Sequence, residues 1–156
     1  MPKKSAGIIL FRRVAGGLEV LLVHPGGPLW AKKDEGAWSI PKGEFTDDED
    51  PLSAARRECE EETGAAPTGE FIGLDPVRQP GGKLVHAWAV ESQFDAATLR
   101  SGTFHMEWPP RSGRQHEFPE VDRAEWFTIE DARRKMLKGQ TPLLDHFLRA
   151  VASSSA

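Results

Sequence analysis

The sequence predicts an α/β domain in which a mixed β-sheet is covered by helices on both faces. Strand-like apolar segments alternate along the chain with three segments that carry helix signals. The first strand-like segment, residues 5–12, is a nearly continuous apolar run. Such a strand is buried on both faces, which requires a layer of structure above and below the sheet.

Size and composition favour one soluble domain. At 156 residues the chain can bury a single core, which we place at residues 1–152, with residues 153–156 as a frayed C-terminal tail. The net charge of −4 argues against a nonspecific nucleic-acid binder, which would be basic. The single cysteine excludes an internal disulfide framework, and no apolar run approaches the ~20 residues of a membrane span. We therefore expect a cytoplasmic protein without a membrane segment.

Six segments carry strand signals, because each is rich in apolar or β-branched residues and is bounded by turn residues. They are residues 5–12, 18–24, 38–40, 70–74, 83–91 and 121–127. Trp38 in the third segment is expected in the core. His86 in the fifth is expected to be packed or hydrogen-bonded, because no second histidine or cysteine stands at zinc-like spacing.

Two long segments lack strand and helix signals. Residues 24–37 include Pro25-Gly26-Gly27-Pro28, and a loop of this length in a compact domain is usually functional or disordered. Residues 92–118 include Trp108-Pro109-Pro110 and Ser112-Gly113, which predict irregular structure there.

Three helices are predicted from their end signals. The first has Asp50 as its N-cap, Pro51 as its first residue and Gly64 just past its end. A second helix starts at the capping residue Thr128 and ends before residue 139. A third starts at Thr141-Pro142 and has an apolar stripe along one side.

The first helix combines an apolar stripe with an acidic arc. At about 100° per residue, one narrow stripe contains Leu52, Ala55, Cys59 and Thr63. An adjoining arc contains Glu58, Glu61 and Glu62, which repel one another and have no lysine or arginine four residues further on. The arc is either a solvated acidic face or a site for a hard cation such as Mg²⁺ or Mn²⁺, which prefers clustered oxygens.

The residue order from Gly43 to Ala65 resembles the Nudix box, the signature of the Nudix hydrolases. Gly43 is followed after five residues by Glu49 and after seven more by Arg57-Glu58-Cys59. One residue separates Cys59 from Glu61-Glu62, and one more separates Glu62 from Gly64-Ala65. Every fixed position and gap of the box is therefore matched. The resemblance implies an α/β/α sandwich with the box helix against the sheet.

The resemblance also implies roles for the residues of the box. It implies a Mg²⁺ (or Mn²⁺) site whose ligands are a backbone carbonyl and three carboxylates, from Gly43, Glu58, Glu61 and Glu62. Glu58 and Glu61 are thereby expected to serve catalysis as well. Glu49 and Arg57 resemble the internal ion pair of the box, which holds loop and helix in register.

Two residues outside the box are candidates for chemistry. Lys42 is either a surface lysine before a glycine turn or a phosphate-binding charge. The second reading is favoured because Pro41-Lys42-Gly43 resembles Nudix subgroups that act on long phosphate chains. Glu120 is the candidate general base, because its segment resembles the one that supplies an extra glutamate in diadenosine tetraphosphate hydrolases. Glu117 and a plain exposed acid are the alternatives.

Base recognition is expected to use aromatic stacking. Trp108 is the candidate for this contact, with Phe104 and Phe118 in the same segment. The chain has no tyrosine, whereas diadenosine tetraphosphate hydrolases often place one downstream of the box.

Together these features predict a pyrophosphohydrolase that binds a small nucleotide, most similar to the enzymes that cleave diadenosine tetraphosphate to ATP and AMP. The alternative substrates are ADP-ribose, nucleoside triphosphates and diphosphoinositol polyphosphates. Pro80 resembles a mark of ADP-ribose pyrophosphatases, but it also belongs to an ordinary Pro-Gly-Gly turn. A catalytically silent nucleotide sensor is the non-enzyme alternative, although such a domain is expected to have lost a box glutamate.

Overall fold

A computed structural model describes residues 3–154 of the chain. Within this range the strands are β1 (Lys4–Val14), β2 (Gly17–Pro25), β3 (Lys42–Glu44), β4 (Ile72–Gly73), β5 (Val77–Arg78), β6 (Leu84–Glu91), β7 (Thr103–Glu107), β8 (Gln115–Pro119) and β9 (Val121–Thr128). The helices are α1 (Pro51–Thr63), α2 (Ile129–Lys135) and α3 (Pro142–Ser154). Helix α3 therefore reaches into the predicted frayed tail, and residues 155–156 lie outside the described residues.

The main sheet is mixed, as predicted. Its central path runs β4-β6-β1-β2-β9, with β3 paired to β1 and β5 paired to β6. Strands β1 and β6 run parallel, whereas the other pairs in this sheet are antiparallel. Strands β7 and β8 form a separate hairpin.

Strand β1 separates the two halves of the core, because successive side chains of a strand point to opposite faces. Ile8 and Leu10 pack in the cluster that contains Ala55 and Cys59 of α1. Ile9 and Phe11 pack in the other cluster, which contains Phe147 of α3. Both faces of the strand are fully covered, so the sandwich predicted from its apolar run is confirmed.

The N-terminal half of β1 brings the start of the box into the sheet. Gly7 is opposite Lys42 in the antiparallel β1–β3 pair. A Cβ at position 7 would lie 2.7 Å from the Pro41 carbonyl oxygen and 2.8 Å from the Lys42 Cβ. Only glycine permits this close approach, which fixes the segment that leads into Gly43.

Several sequence predictions need correction. The predicted strand at residues 38–40 forms isolated bridges from Trp38 to Met136 and from Ser39 to Val23, because it crosses between two elements rather than lying along one. The segment 92–118, predicted to be irregular, contains the β7–β8 hairpin, whose turn holds the residues that suggested irregularity. Of the predicted strand 70–74 only residues 72–73 form strand β4, with the Leu74 N–H donating to the Ala87 carbonyl at 3.0 Å. The short strands β3 and β5 lie outside the predicted strands.

No helix within residues 3–154 is both long and apolar enough to cross a membrane.

Candidate active site

Helix α1 has the ends that its sequence predicts. The Asp50 side chain accepts a hydrogen bond from the Ser53 N–H at 3.0 Å, and Pro51 occupies the first helical position. Gly64 closes the helix with φ of 83°, a left-handed conformation that favours glycine. Ala55, Cys59 and Thr63 are buried as predicted, Leu52 is partly buried, and Ala54 is buried beside them. The glutamates are thereby held along the edge of the buried face.

Arg57 organises the acidic side chains at the start of the site. Its Nη2 donates to Glu49 at 2.9 Å, so the ion pair implied by the box is present. Its Nη1 also donates to Glu58 at 3.0 Å and to Glu61 at 3.4 Å. The guanidinium therefore offsets the mutual repulsion of carboxylates on one helix face.

Gly43 and Glu58 approach so closely that any other residue at position 43 would displace the Glu58 carboxylate. A Cβ there would lie 2.1 Å from the Glu58 carboxylate carbon and within 2.5 Å of both its oxygens. The carboxylate therefore lies directly against the backbone of β3. This contact places the Gly43 backbone and one box glutamate on the same side of the site, as the metal-ligand assignment requires.

Glu62 is the most deeply held of the three box glutamates. Its Oε1 accepts a hydrogen bond from the Lys42 backbone N–H at 3.1 Å. Burial raises the pKa of Glu62 to about 8, with the charge of Glu58 adding to the effect and the Lys42 N–H opposing it. Burial also raises the pKa of Glu58, with a contribution from the charge of Glu61. The cluster thus has excess negative charge that a cation would relieve.

The donor set suits a hard divalent cation, but the ligands are not gathered around one point. Within residues 3–154, no group of three His, Cys, Asp or Glu side chains has metal-binding geometry. The reason is visible in the contacts, since Arg57 holds Glu58 and Glu61 while the Lys42 N–H holds Glu62. Short side-chain rotations would be needed to bring these carboxylates together. Their carboxylate oxygens are the ligands that Mg²⁺ or Mn²⁺ prefers.

Glu120 joins the box glutamates from the other side of the site. Its negative charge contributes to raising the pKa values of Glu58 and Glu62. The backbone of Glu120 is fixed by two hydrogen bonds. Its N–H donates to the Gly102 carbonyl at 2.9 Å, and its carbonyl accepts from the Gly26 N–H at 2.9 Å. Gly102 in turn donates to the Glu61 carbonyl at 2.9 Å, which ties this segment to the end of α1.

Two cavities open beside this cluster. The larger has a volume of about 390 Å³ and the smaller about 230 Å³. Both are lined by Glu62 and Glu120, and both also touch Pro25 and Trp30. Glu62 and Glu120 are therefore shared by two adjoining cavities.

Lys42 is one of the residues that line the smaller cavity. Within the described residues its Nζ forms no ion pair or hydrogen bond, although Glu62, Glu44 and Glu58 lie near enough to act on its charge. Burial lowers the pKa of Lys42, and repulsion from Lys83 lowers it further. A half-buried cation without a partner beside a cavity is suited to receive an anion.

The aromatic lining of the larger cavity agrees only in part with the sequence prediction. Trp108 lies at the turn of the β7–β8 hairpin and is not among the residues that line either cavity. Phe104, which was named with it, does line the larger cavity, together with Met106 of β7 and Trp30 in the loop after β2. Successive side chains of β7 point to opposite faces of the hairpin, so Phe104 and Met106 share one face. This relationship could not be predicted without knowing that residues 103–107 form a strand.

Trp30 was not singled out in the sequence. The signal that could have identified it is a lone tryptophan after Pro25-Gly26-Gly27-Pro28, in a loop too long to be a simple connection. The absence of a side chain at Gly27 affects how closely this loop approaches the β7–β8 hairpin. A Cβ at Gly27, whose φ is 92°, would lie 2.8 Å from the Phe104 ring. The loop can approach the hairpin only because this position has no side chain.

Two other predicted candidates lie outside the cavity lining. Glu117 is on β8, where its carboxylate lies 3.5 Å from His105. Pro80 lies in the β5–β6 turn, 3.0 Å from where a Cβ of Gly139 would be. His86 is half-buried and packs against Phe45, with ring centroids 5.9 Å apart, as expected for a packed histidine.

Comparison with known proteins agrees with this architecture. A family model described as the NUDIX domain matches residues 1–149. A C. elegans Ap4A hydrolase in a binary complex is similar, with TM-score 0.62 and 23% identity over 97% of this chain and 98% of that one. The NUDIX domain of Shewanella oneidensis NrtR complexed with ADP ribose has TM-score 0.60 and 18% identity, over 99% of this chain and 88% of that one. A mutT/nudix family protein from Listeria innocua has TM-score 0.64 and 17% identity, over 99% and 97% of the two chains. At these identities the neighbours establish the fold.

Proposed function

Because this chain belongs to the Nudix family, we propose that it is a metal-dependent pyrophosphohydrolase whose substrate is a dinucleoside polyphosphate, cleaved as diadenosine tetraphosphate is cleaved to ATP and AMP. The observation that carries this proposal is that Glu62 and Glu120 are shared by two adjoining cavities. A phosphate chain that crosses these carboxylates can place one end in each cavity. A dinucleoside polyphosphate, which has a nucleoside at each end, would occupy both cavities.

The larger cavity favours a nucleoside over an inositol phosphate. Its lining includes Trp30, Phe104, Met106 and two prolines, which suit the planar face of a base. A diphosphoinositol would need several cations around its ring, and none of the residues lining this cavity is a lysine or an arginine. We therefore assign this space to one nucleoside of the substrate.

Lys42 supports a long phosphate chain. Lys42 lines the smaller cavity, and its ammonium would neutralise part of the phosphate charge that repels a nucleophile. A divalent cation held by Glu58, Glu61, Glu62 and the Gly43 carbonyl would supply charge neutralisation and lower the pKa of a water molecule.

Glu120 is the candidate general base. Its anchored backbone holds its carboxylate beside the box glutamates without using it as a structural partner within the described residues. In the proposed reaction a water oxygen attacks phosphorus, the anhydride P–O bond breaks, and the carboxylate accepts the proton of the water.

The test is an activity screen with purified protein in the presence of Mg²⁺ or Mn²⁺. The substrates are dinucleoside polyphosphates, ADP-ribose, nucleoside triphosphates and diphosphoinositol polyphosphates. The proposal predicts the highest kcat/KM for a dinucleoside polyphosphate and loss of turnover with a chelator. ADP-ribose is the second candidate, because it also has two ends joined through a pyrophosphate. Tight nucleotide binding without turnover on any substrate would favour the silent sensor.

A further inference from the structure

His24, near the end of β2, is a fully buried histidine that lies outside the carboxylate cluster. Its side chain is 0% exposed. Its Nδ1 lies 2.8 Å from Oδ1 of Asp122 on β9, and its Nε2 lies 2.6 Å from the backbone carbonyl of Lys33 in the loop after β2. These partners are 98 and 9 residues away in sequence. The His24 ring therefore links strand β9 to the loop after β2.

Both segments form walls of the proposed active site. Asp122 is two residues beyond Glu120, and a register shift between His24 and Pro25 sets this part of β9 against β2. On the other side, the Lys33 N–H donates to the Trp30 carbonyl at 3.0 Å, closing a turn that contains both residues. The Lys33 carbonyl held by His24 thus fixes the turn that carries Trp30 into both cavities.

The two hydrogen bonds of His24 depend on which of its ring nitrogens carry a proton. A backbone carbonyl can only accept a hydrogen bond, and so can an ionised carboxylate. Both hydrogen bonds of His24 form together when both ring nitrogens carry a proton, which is the imidazolium form. In a neutral ring, one nitrogen directs a lone pair at an oxygen, and one of the two contacts is lost.

The other charged groups near the ring are already engaged. Arg123 Nε lies 3.6 Å from the same Asp122 oxygen, and the Arg123 guanidinium lies over the Trp38 ring. Trp38 packs edge-on against His24 with ring centroids 5.1 Å apart. Asp34 accepts a hydrogen bond from the Trp38 indole N–H and forms an ion pair with Lys135 of α2. Among the described residues, Asp122 is therefore the carboxylate in contact with the His24 ring.

We propose that His24 is a positioning residue: through its hydrogen bonds to Asp122 and to the Lys33 carbonyl it holds the Trp30 turn and the Glu120 end of β9 together, so that substrate affinity falls when this link is broken. The effect on substrate rests on the proposed function, whereas the hydrogen-bonding state of the ring does not. The C-terminal end of the same loop is held separately, because Asp34 contacts Trp38 and Lys135 and Glu35 pairs with Arg134.

The test compares Asp122→Ala and Asp122→Asn with the wild type. Asp122→Ala removes the hydrogen-bond partner of the His24 Nδ1 and is expected to raise KM about fivefold with kcat nearly unchanged, the effect of one net hydrogen bond. An asparagine side chain can either accept from or donate to Nδ1, so Asp122→Asn keeps the contact and should keep a KM close to that of the wild type. Glu35→Gln is the matched control, because it removes one negative charge in the same loop from a carboxylate that pairs with Arg134; it should behave like the wild type.

A further readout needs no turnover. Hydrogen exchange of residues 25–36, measured at one pH, should be faster in Asp122→Ala than in the wild type and close to the wild-type rate in Asp122→Asn. The same exchange rates in Asp122→Ala and the wild type, or an unchanged KM in Asp122→Ala, would overturn the inference. If the protein hydrolyses no substrate, the proposed function fails, and the exchange measurement still decides the role of His24.

Discussion

The Glu58 carboxylate lies against Gly43 in the space where any other residue would place its Cβ, 2.1 Å from the carboxylate carbon. This contact joins the loop that begins the box to the helix that carries its glutamates. It makes glycine a requirement of the site geometry and not only of the turn.

Gly43→Ala should therefore displace Glu58 and lower kcat/KM by roughly 100-fold, as expected for a misplaced catalytic group. Gly102→Ala is the matched control, because a Cβ there would meet its nearest neighbour, the Glu61 carbonyl oxygen, at an ordinary 3.8 Å. Both variants should give wild-type circular dichroism spectra. Equal activities in the two variants would contradict the role assigned to the Gly43–Glu58 contact.

Glu62 should make the metal-free protein less stable as the pH rises. Its pKa is raised to about 8 in the folded state, so the folded protein keeps a proton that the unfolded chain releases at lower pH. The free energy of unfolding therefore falls between the ordinary glutamate pKa and about pH 8. Glu62→Gln keeps an acceptor for the Lys42 N–H and removes the charge.

At about pH 8.5 and in chelator, Glu62→Gln should melt roughly 3 °C or more above the wild type, and the difference should shrink towards pH 5. Thermal denaturation across this range is the measurement. Glu60→Gln, on an exposed position of the same helix, should show no such difference. A Glu62→Gln protein that melts at the wild-type temperature throughout the range would argue against a buried, proton-retaining Glu62.

Lys42 should act on phosphate and contribute little to the fold. Lys42→Ala should lower kcat/KM on a dinucleoside polyphosphate by roughly 10- to 100-fold, as for loss of a charge-assisted contact. Its melting temperature should change by less than about 2 °C. Lys83→Ala is the control, because Lys83 pairs with Glu44 at 3.5 Å and lines neither cavity. A large loss of stability with unchanged kinetics would make Lys42 a structural residue.

Phe104 should contribute more to substrate binding than Trp108. Phe104→Ala should raise KM about tenfold, the effect of losing one stacking surface. Trp108→Ala should change KM by less than about twofold, because Trp108 lies at the hairpin turn and does not line the larger cavity. Steady-state kinetics of the two variants make the comparison. The reverse order would restore Trp108 as the stacking residue.

The parts of this structure that could be predicted are those with local signals. The ends of α1 depend on Asp50 and Gly64, which act within a few residues, and the apolar run of β1 dictates burial on both faces. The box glutamates were identifiable because their spacing matches a fixed pattern. Local rules were therefore sufficient to predict the mixed sandwich and the acidic cluster.

The parts that could not be predicted depend on tertiary contacts. The β7–β8 hairpin carries the proline and glycine residues of its turn in the middle of the segment, so the signals for irregularity obscured the flanking strands. Trp30 lies in a loop that contacts His24 through the Lys33 carbonyl, and His24 in turn contacts Asp122, 98 residues away in sequence. No pattern within either segment specifies that contact.

The most direct test of the central claim is a product analysis in ¹⁸O-labelled water, with Mg²⁺ and equal concentrations of diadenosine tetraphosphate and ADP-ribose. The account predicts metal-dependent release of ATP and AMP from the dinucleotide, with ¹⁸O in one of the two products, faster than release of AMP from ADP-ribose. Faster cleavage of ADP-ribose, or formation of two ADP from the dinucleotide, would contradict it.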